Sequence, residues 1–456
     1  MPISRGFIKI VVFLEEFTYF LVSLHSFHCY AFLFTLLDMG KIHYTYPNAV
    51  ETPNAGIEVH TQQELQEAEI DLLRQANLNN VAPCEAWTAL GTNAQISYST
   101  HGIFRYFGKF PSTIATHLIF QYTSEGDVVL DPMAGSGTTS LECLLANRDC
   151  HSYDINPLSV LLAKVKTTFI EKDVLDAAID DIEKNYKPMT TEEYDYVPIG
   201  VKNLDHWFLT ETQNSLRGLL FLINKIKEKD VKDFMTICLC SIIRTVSRAT
   251  SQQGRLFLDV VTAKPDCLDS FVKKAKKAAE RVAGLPPRHT VLDIALHDAE
   301  EPLDGILADL TILHPPYFNA YKYSSVNSLE LAWLGIDQAS VRKKEVREFF
   351  KIGKPEKVEF YLEDMVRVLN NVTASIKQGG VMGLMIGDTV IKGEYIPVTR
   401  QLIDRYLIAN PNVTVEKVVL RVPKFTEASW TTSQRRTSEK VGVSLNDFII
   451  VFRKKG

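Results

Sequence analysis

Residues 127–165 constrain the fold more than any other stretch of the chain. DVVLD (127–131) is a short apolar run bounded by turn residues, which reads as a buried parallel strand. PMAGSGTT follows at once, a helix is predicted from about Thr138 to Asn147, and CHSYD (150–154) reads as the next strand. The order strand, helix, strand, helix predicts a βαβα unit of a parallel sheet. With 456 residues the chain can bury a large core without staples, and at about 150 residues per domain it holds roughly two to three domains.

The flanking segments extend this pattern. In 105–125 (RYFGKFPSTIATHLIFQYTSE), Pro111 can open a helix whose apolar face is Ile114, Leu118 and Ile119. Residues 60–78 are predicted helical, with apolar positions at Leu65, Ile70, Leu72 and Leu73. From about Lys166 to Gly284 charged helical patterns dominate, and Pro286 and Pro287 mark the end of that stretch. The α/β alternation then resumes: HTVLDIAL, GILADLTILHPPY, VMGLMIGDT, VEKVVLRVP and SLNDFIIVFRKK each predict a strand, with helices between. The expected organisation is a hydrophobic segment (1–38), a helical or irregular segment (39–100), an α/β domain (101–166 and 290–456) and a helical insertion (167–289).

Residues 7–37 are rich in aromatics and nearly free of turn residues. Their length would permit a membrane span, but Glu15 and Glu16 interrupt it, and charges there are expensive. Three readings stay open: an upstream extension with translation starting at Met39, a signal anchor, or a docked helix. Nothing later in the chain needs a membrane. The seven cysteines (29, 84, 143, 150, 238, 240, 267) form no CxxC pair and no zinc quartet, which points to reduced thiols and a cytoplasmic location. A net charge of −5 excludes a wholly basic nucleic-acid coat but leaves room for a local basic groove.

Two turns carry the chemistry. The first, Asp131 to Thr139 (DPMAGSGTT), lets backbone approach a ligand closely. It lacks the third glycine of a dinucleotide loop and the lysine of a phosphate-binding loop. Nineteen residues after Gly135 stands Asp154, at a strand end where an acid can accept both ribose hydroxyls. A nucleoside with a small cationic tail fits this set. S-adenosylmethionine is such a molecule, and Asp131 could serve its ammonium group. On spacing alone, a tight turn with a helix cap fits as well.

The second turn, His314-Pro315-Pro316-Tyr317, follows the strand ILADLTIL. Two prolines cannot continue a ladder, so the chain leaves the sheet here, at a strand's C-terminal end. Proline keeps its carbonyl acceptor, and a rigid pair can receive an exocyclic amino group. Tyr317 offers a face for stacking an extruded base. Taken alone, Pro-Pro-Tyr is also a common aromatic-anchored turn.

Together, DPMAGSGTT, YDINPLS and HPPY resemble the class I S-adenosylmethionine-dependent DNA amino-methyltransferases, the PPY-motif methylases of the cytosine-N4 and adenine-N6 type. HDAEEPLDG, ELAWLG (330–335) and SIKQGGVMGLMIGDT fit the same family, so the resemblance covers about 101–166 and 290–456. It implies a Rossmann-like, seven-stranded sheet. It implies that Phe110 and Pro111 border the methionine end of the cofactor. Asp131, Met133, Ala134, Gly135, Gly137 and Thr138 would wrap it, Asp154 would take the ribose, and Ile155 and Asp298 would meet the adenine. His314, Pro315, Pro316 and Tyr317 would hold the target amine.

The implied partner is DNA with its target base flipped out, together with a cognate restriction endonuclease. No metal site is implied. The family usually carries Asp, Asn or Ser where this chain has His314, which leaves the modified base open. A neutral imidazole can accept from an amine, or take a proton near neutral pH. An RNA base amino-methyltransferase and a degenerate nucleic-acid-binding subunit are the alternatives.

Phosphate contacts are expected from residues 271–288, with six Lys/Arg against one Glu, and 341–357, with seven against three. Arg244, Arg248 and Arg255, and Arg421, Lys424, Arg435 and Arg436, add to them. The helical insertion is the candidate for target recognition.

Overall fold

The computed structural model describes residues 40–47, 56–92, 94–109, 111–201, 203–250, 256–318, 323–347, 355–391, 394–422 and 447–456. The three readings of residues 1–38, and Phe110, Arg255, Lys424, Arg435 and Arg436, lie outside the described residues.

The described residues form twelve strands: β1 (Lys41–His43), β2 (Gly56–His60), β3 (Cys84–Leu90), β4 (Val128–Asp131), β5 (Asp149–Asp154), β6 (Leu292–Leu296), β7 (Ala308–Leu313), β8 (Ile376–Gly387), β9 (Thr389–Ile391), β10 (Glu394–Ile396), β11 (Val413–Arg421) and β12 (Asp447–Lys454). Ten make one sheet in the order β1-β2-β3-β11-β12-β8-β7-β4-β5-β6, and β9 and β10 form a separate hairpin. The run from β11 to β6 is seven-stranded, and only β12 opposes its neighbours. This is the expected Rossmann-like, seven-stranded sheet.

Both faces of the sheet are covered, as a mostly parallel sheet requires. The strands alternate accordingly. In β8, Val381 and Met385 join the cluster under the helices Ser112–Tyr122 and Thr138–Ala146. Met382, Leu384 and Ile386 point the other way, to the helices Val358–Ala374 and Val398–Ala409. Leu310 and Ile312 of β7 and Ile449 and Val451 of β12 repeat the first set, and Leu313, Phe448 and Ile450 the second.

Residues 39–100 need a correction. They are not only helical and irregular: β1, β2 and β3 extend the sheet by three strands, and β3 pairs parallel to β11. The predicted helix in that region is present as Glu67–Gln75. The strands are hard to read because they are short and carry Glu58, His60 and Glu85 at half-exposed positions. The stretch 172–283 is helical, with long helices Lys172–Asn185, Thr210–Lys225, Lys229–Val246 and Cys267–Ala283. Their apolar faces share a core with Leu158, Leu162 and Val165 of the helix Pro157–Thr167. Among the described residues no helix is long and apolar enough to cross a membrane.

Candidate active site

Strand order decides where a site can be. β4 lies between β5 and β7, and the sheet is built outward from it in both directions. Ligands of open α/β sheets bind at such a reversal, beyond the strands' carboxyl ends. The glycine turn leaves β4 and the Pro-Pro turn leaves β7, and these strands pair in parallel through Val129–Leu310 and Leu130–Thr311. The two turns therefore emerge side by side. Between them opens a solvent-facing cleft lined by residues of both turns.

Many of the predicted residues meet in this cleft. Met133, Ala134, Gly135, Thr138, Asp154, Ile155, Asp298, His314 and Pro316 line it. Asp131, Gly137, Pro315 and Tyr317 stand behind the lining, and Pro111 precedes the helix Ser112–Tyr122. Asp131 is 3% exposed and its Oδ1 accepts from the Met133 amide at 3.1 Å. It braces the turn from below. Burial pushes its carboxyl up to about 7, and Asp154 adds to the shift.

Local chemistry explains the curve of the glycine turn. Gly135 and Gly137 have φ of +49° and +68°, the left-handed region that other residues resist. A Cβ on Gly137 would lie 2.6 Å from the Ala163 Cβ, so this turn also needs a bare backbone to pack on the neighbouring helix. Asp154 ties the turn to β5: its Oδ2 accepts from the Gly135 amide and its Oδ1 from the Asn156 amide, both at 2.8 Å. Burial pushes the Asp154 carboxyl up to about 6; the two amides oppose the shift and Glu345 adds to it.

The other wall is built from β7. His314 Nε2 lies 3.2 Å from the Tyr317 hydroxyl, with the two rings edge to face at 5.3 Å. The Pro316 carbonyl accepts from the Tyr361 hydroxyl at 2.9 Å, so one of the two expected carbonyl acceptors is already engaged. Tyr361 also packs on Phe318 and thereby anchors the turn to the helix Val358–Ala374. Burial, then the Arg421 guanidinium, pushes the His314 imidazole down to about 3. It is neutral at pH 7. Of the two roles open to it in sequence, taking a proton near neutral pH is removed.

Several lining residues were not singled out in sequence: Tyr106, Lys109, Asn156, Glu300, Lys344 and Glu345. Tyr106 and Lys109 sit in RYFGKFP, just before the flagged Phe110 and Pro111. Glu345 sits inside a stretch read as basic, and its carboxylate accepts from the Ser324 amide at 2.7 Å and hydroxyl at 3.1 Å. The cleft is acidic: Asp154, Asp298, Glu300 and Glu345 face Lys109 and Lys344.

Some cations expected at phosphates are engaged in the fold instead. Arg244 donates to the Val326 carbonyl and lies over the Phe107 ring. Arg281 donates to the Ser97 and Ser99 carbonyls, and Arg347 pairs with Asp364. Among the described residues no group of three or more His, Cys, Asp or Glu is placed to hold a metal ion.

A parallel α/β sheet with an acidic cleft at its reversal and a Pro-Pro turn on one wall is an arrangement that can hold a cationic nucleoside. Comparison with known proteins narrows the class. Residues 42–165 match the family model described as DNA methylase. The chain is 25% identical over 268 residues to the type II methyltransferase M.MvaI of Kocuria varians, covering 54% of this chain and 59% of that protein. It is 25% identical over 291 residues to M.BsoBI of Geobacillus stearothermophilus, covering 55% of each. Over 125 residues it is 30% identical to M.HpaI of Haemophilus parainfluenzae, covering 27% of this chain and 37% of that one. Among solved structures it resembles TrmN of Thermus thermophilus, with a TM-score of 0.30 and 11% identity over 76% of this chain and 50% of that one. It also resembles the rRNA methyltransferase aviRa of Streptomyces viridochromogenes, with a TM-score of 0.31 and 12% identity over 77% and 90%. Residues 42–165 thus carry the likeness to the DNA methylase family model, and the wider chain is similar to type II methyltransferases. It spans 59% and 55% of the length of the first two curated relatives.

Proposed function

We propose that the protein transfers a methyl group from S-adenosylmethionine to the exocyclic amino group of a DNA base, cytosine N4 or adenine N6. The observation that carries this reading is that the turn after β4 and the turn after β7 line one cleft. The residues present fit a cationic nucleoside: four carboxylates against two ammonium groups line the cleft, and a bare Gly135 leaves room beside the Tyr106 ring. Asp154 would hold the ribose, Ile155 and Asp298 the adenine, and Met133, Ala134, Gly135 and Thr138 the rest. When bound, the cofactor supplies an electrophilic methyl on a sulfonium.

The chain's own work is to position and polarise. His314 lies beside the Tyr317 hydroxyl, and as a neutral imidazole it is assigned the role of accepting one amino hydrogen through a ring nitrogen. The Pro315 carbonyl is assigned the other hydrogen, and the nitrogen lone pair is thereby aimed along the line of transfer. A histidine of pKa about 3 cannot keep a second proton at pH 7, so the proton lost from the amine passes to water. No covalent intermediate on the chain is needed. The helical stretch 167–289 is assigned to target recognition, the location to the cytoplasm, and a restriction endonuclease of the same specificity is the expected partner.

Incubation with methyl-labelled cofactor and DNA or RNA, followed by digestion, tests the reading. Labelled N4-methylcytosine or N6-methyladenine from DNA is the expected product. Label in RNA alone would replace the DNA reading. Cofactor binding with no transfer to either would favour the degenerate subunit.

Cofactor affinity is expected to rise with pH. A cation bound in the cleft favours the ionised forms of Asp154, which lines it, and of Asp131 just behind the lining, so binding is expected to remove protons from groups titrating near 6 and 7. Between pH 5.5 and 7.5 the dissociation constant is expected to fall by about tenfold or more, since one pKa unit corresponds to a factor of about ten. Calorimetry at pH 6.5 in buffers of different ionisation enthalpy should register proton release. Proton uptake would contradict the assignment.

A further inference from the structure

Lys166 is 1% exposed and ranks among the largest fully buried side chains of the protein. It lies near the end of the helix Pro157–Thr167 and outside the cleft lining. A buried lysine is costly unless its donors find partners. Its Nζ donates to the Ser136 carbonyl at 2.8 Å and lies 3.4 Å from His101 Nδ1. His101 is itself 2% exposed, and its Nε2 lies 2.6 Å from Glu142 Oε1. Glu142 accepts from the Tyr98 hydroxyl at 2.6 Å, from the Thr116 hydroxyl at 2.7 Å, and from the Tyr46 hydroxyl. A buried polar chain thus runs from Glu142 through His101 and Lys166 to the backbone of the glycine turn.

The end of that chain is the informative part. Ser136 stands between Gly135 and Gly137, both at positive φ. With no Cβ at Gly137, sterics leave both orientations of the Ser136–Gly137 peptide plane open, and hydrogen bonds choose between them: the Gly137 amide donates to the Ala134 carbonyl at 2.8 Å, and the Ser136 carbonyl accepts from Lys166. A flip would turn the carbonyl into the place of the amide and reshape the wall that Gly135, Ser136 and Thr138 give the cleft. The Lys166 donor holds one of the two orientations from behind. Glu142 already has three hydroxyl donors besides His101, so the carboxylate is well partnered without the lysine. Burial and Lys109 pull the Lys166 ammonium well below its ordinary range. A neutral amine still has two N–H groups to offer, so the hydrogen bond to Ser136 survives either way.

We infer that Lys166 is a positioning residue for cofactor binding, pinning the Ser136–Gly137 peptide in the orientation that shapes the glycine turn around the ligand. This rests on the S-adenosylmethionine reading above for the identity of the ligand. It does not rest on it for the state of the turn.

The variant Lys166→Met keeps length and apolar volume and removes the donors. In the cofactor-free protein, amide exchange of residues 134–138 is expected to quicken by more than tenfold, with β7 and β8 unchanged. In steady-state transfer the KM for S-adenosylmethionine is expected to rise about tenfold or more, with the KM for DNA and kcat at saturation within about twofold. Lys166→Arg retains a donor and is expected to recover most of the affinity. Unchanged exchange in 134–138 overturns the inference, as does a loosened turn with an unchanged KM. A general loss of stability with both KM values and kcat affected would mean a purely structural role, and also overturns it. If K166M does not fold, His101→Gln, which leaves Lys166 in place without its ring neighbour, carries the test. It is expected to shift exchange and KM in the same direction by about threefold. A wild-type protein that binds no S-adenosylmethionine, with a turn that still loosens in K166M, would remove the functional reading and leave the strut intact.

Discussion

Replacing His314 with alanine is expected to lower the rate of methyl transfer by about 10²-fold or more while leaving cofactor affinity within about twofold. The magnitude is that of removing one positioned polar partner from a reacting group. The selectivity follows from place. His314 sits on the β7 wall with Tyr317, whereas the glycine turn, Asp154 and Asp298 are on other elements. A neutral imidazole acts here by accepting and orienting. His314→Asn, which keeps an acceptor of similar reach, should therefore lose less than His314→Ala. The same argument predicts a rate at saturating substrates that shows no inflection from this group between pH 5 and 8, because its imidazole titrates near 3. Single-turnover transfer with labelled cofactor separates the chemical step from product release. Full transfer by H314A would remove His314 from the mechanism.

The legible parts of this site were those where backbone geometry forces residue choice. Gly135 and Gly137 at positive φ, and two prolines ending a strand, are constraints that composition cannot hide. Asp154 was legible because a strand end and a fixed distance from the glycines define its place. Whether the two turns share a cleft was not legible, because it depends on which strand pairs with β4. Residues 155–307, which include β6, separate β5 from β7, yet β7 is the strand that lies at β4's other edge.

Residues that reach the cleft from elsewhere carried weak signals. Glu345 reads as one acid in a basic run, and only the fold brings it across from Asp154. Lys166 carries no signal of its own in sequence; only the fold buries it beside Ser136 and His101. The basic stretches are an incomplete guide for the same reason. A count of charges cannot tell a phosphate contact from Arg281 held on the Ser97 and Ser99 carbonyls. The strands of residues 41–90 were missed because their period-two signal is broken by half-exposed polar residues, whereas β8 and β12 are apolar on both faces.

The two glycines of the β4 turn are expected to fail in different ways, and the contrast tests the site more sharply than either alone. Gly137→Ala must place a methyl 2.6 Å from the Ala163 Cβ and 2.7 Å from its Cα, at a φ of +68°. The Ala163 backbone belongs to a helix buried on several sides and cannot yield cheaply. Overpacking of this kind costs about 1–3 kcal/mol, and the left-handed backbone adds about 1–2 kcal/mol. G137A is therefore expected to lower the melting temperature clearly and to lose cofactor binding with it. At Gly135 the added methyl meets nothing closer than the Tyr106 ring at 3.5 Å, an ordinary contact, and only the φ of +49° is unfavourable. What it does occupy is the cleft. G135A is expected to melt within a few degrees of the native protein and yet to bind S-adenosylmethionine about tenfold or more weakly, because the wall needs close backbone approach there. Differential scanning calorimetry with and without cofactor reads both quantities on the same samples. Equal loss of stability in the two variants, with equal affinity, would mean that the turn serves helix packing alone.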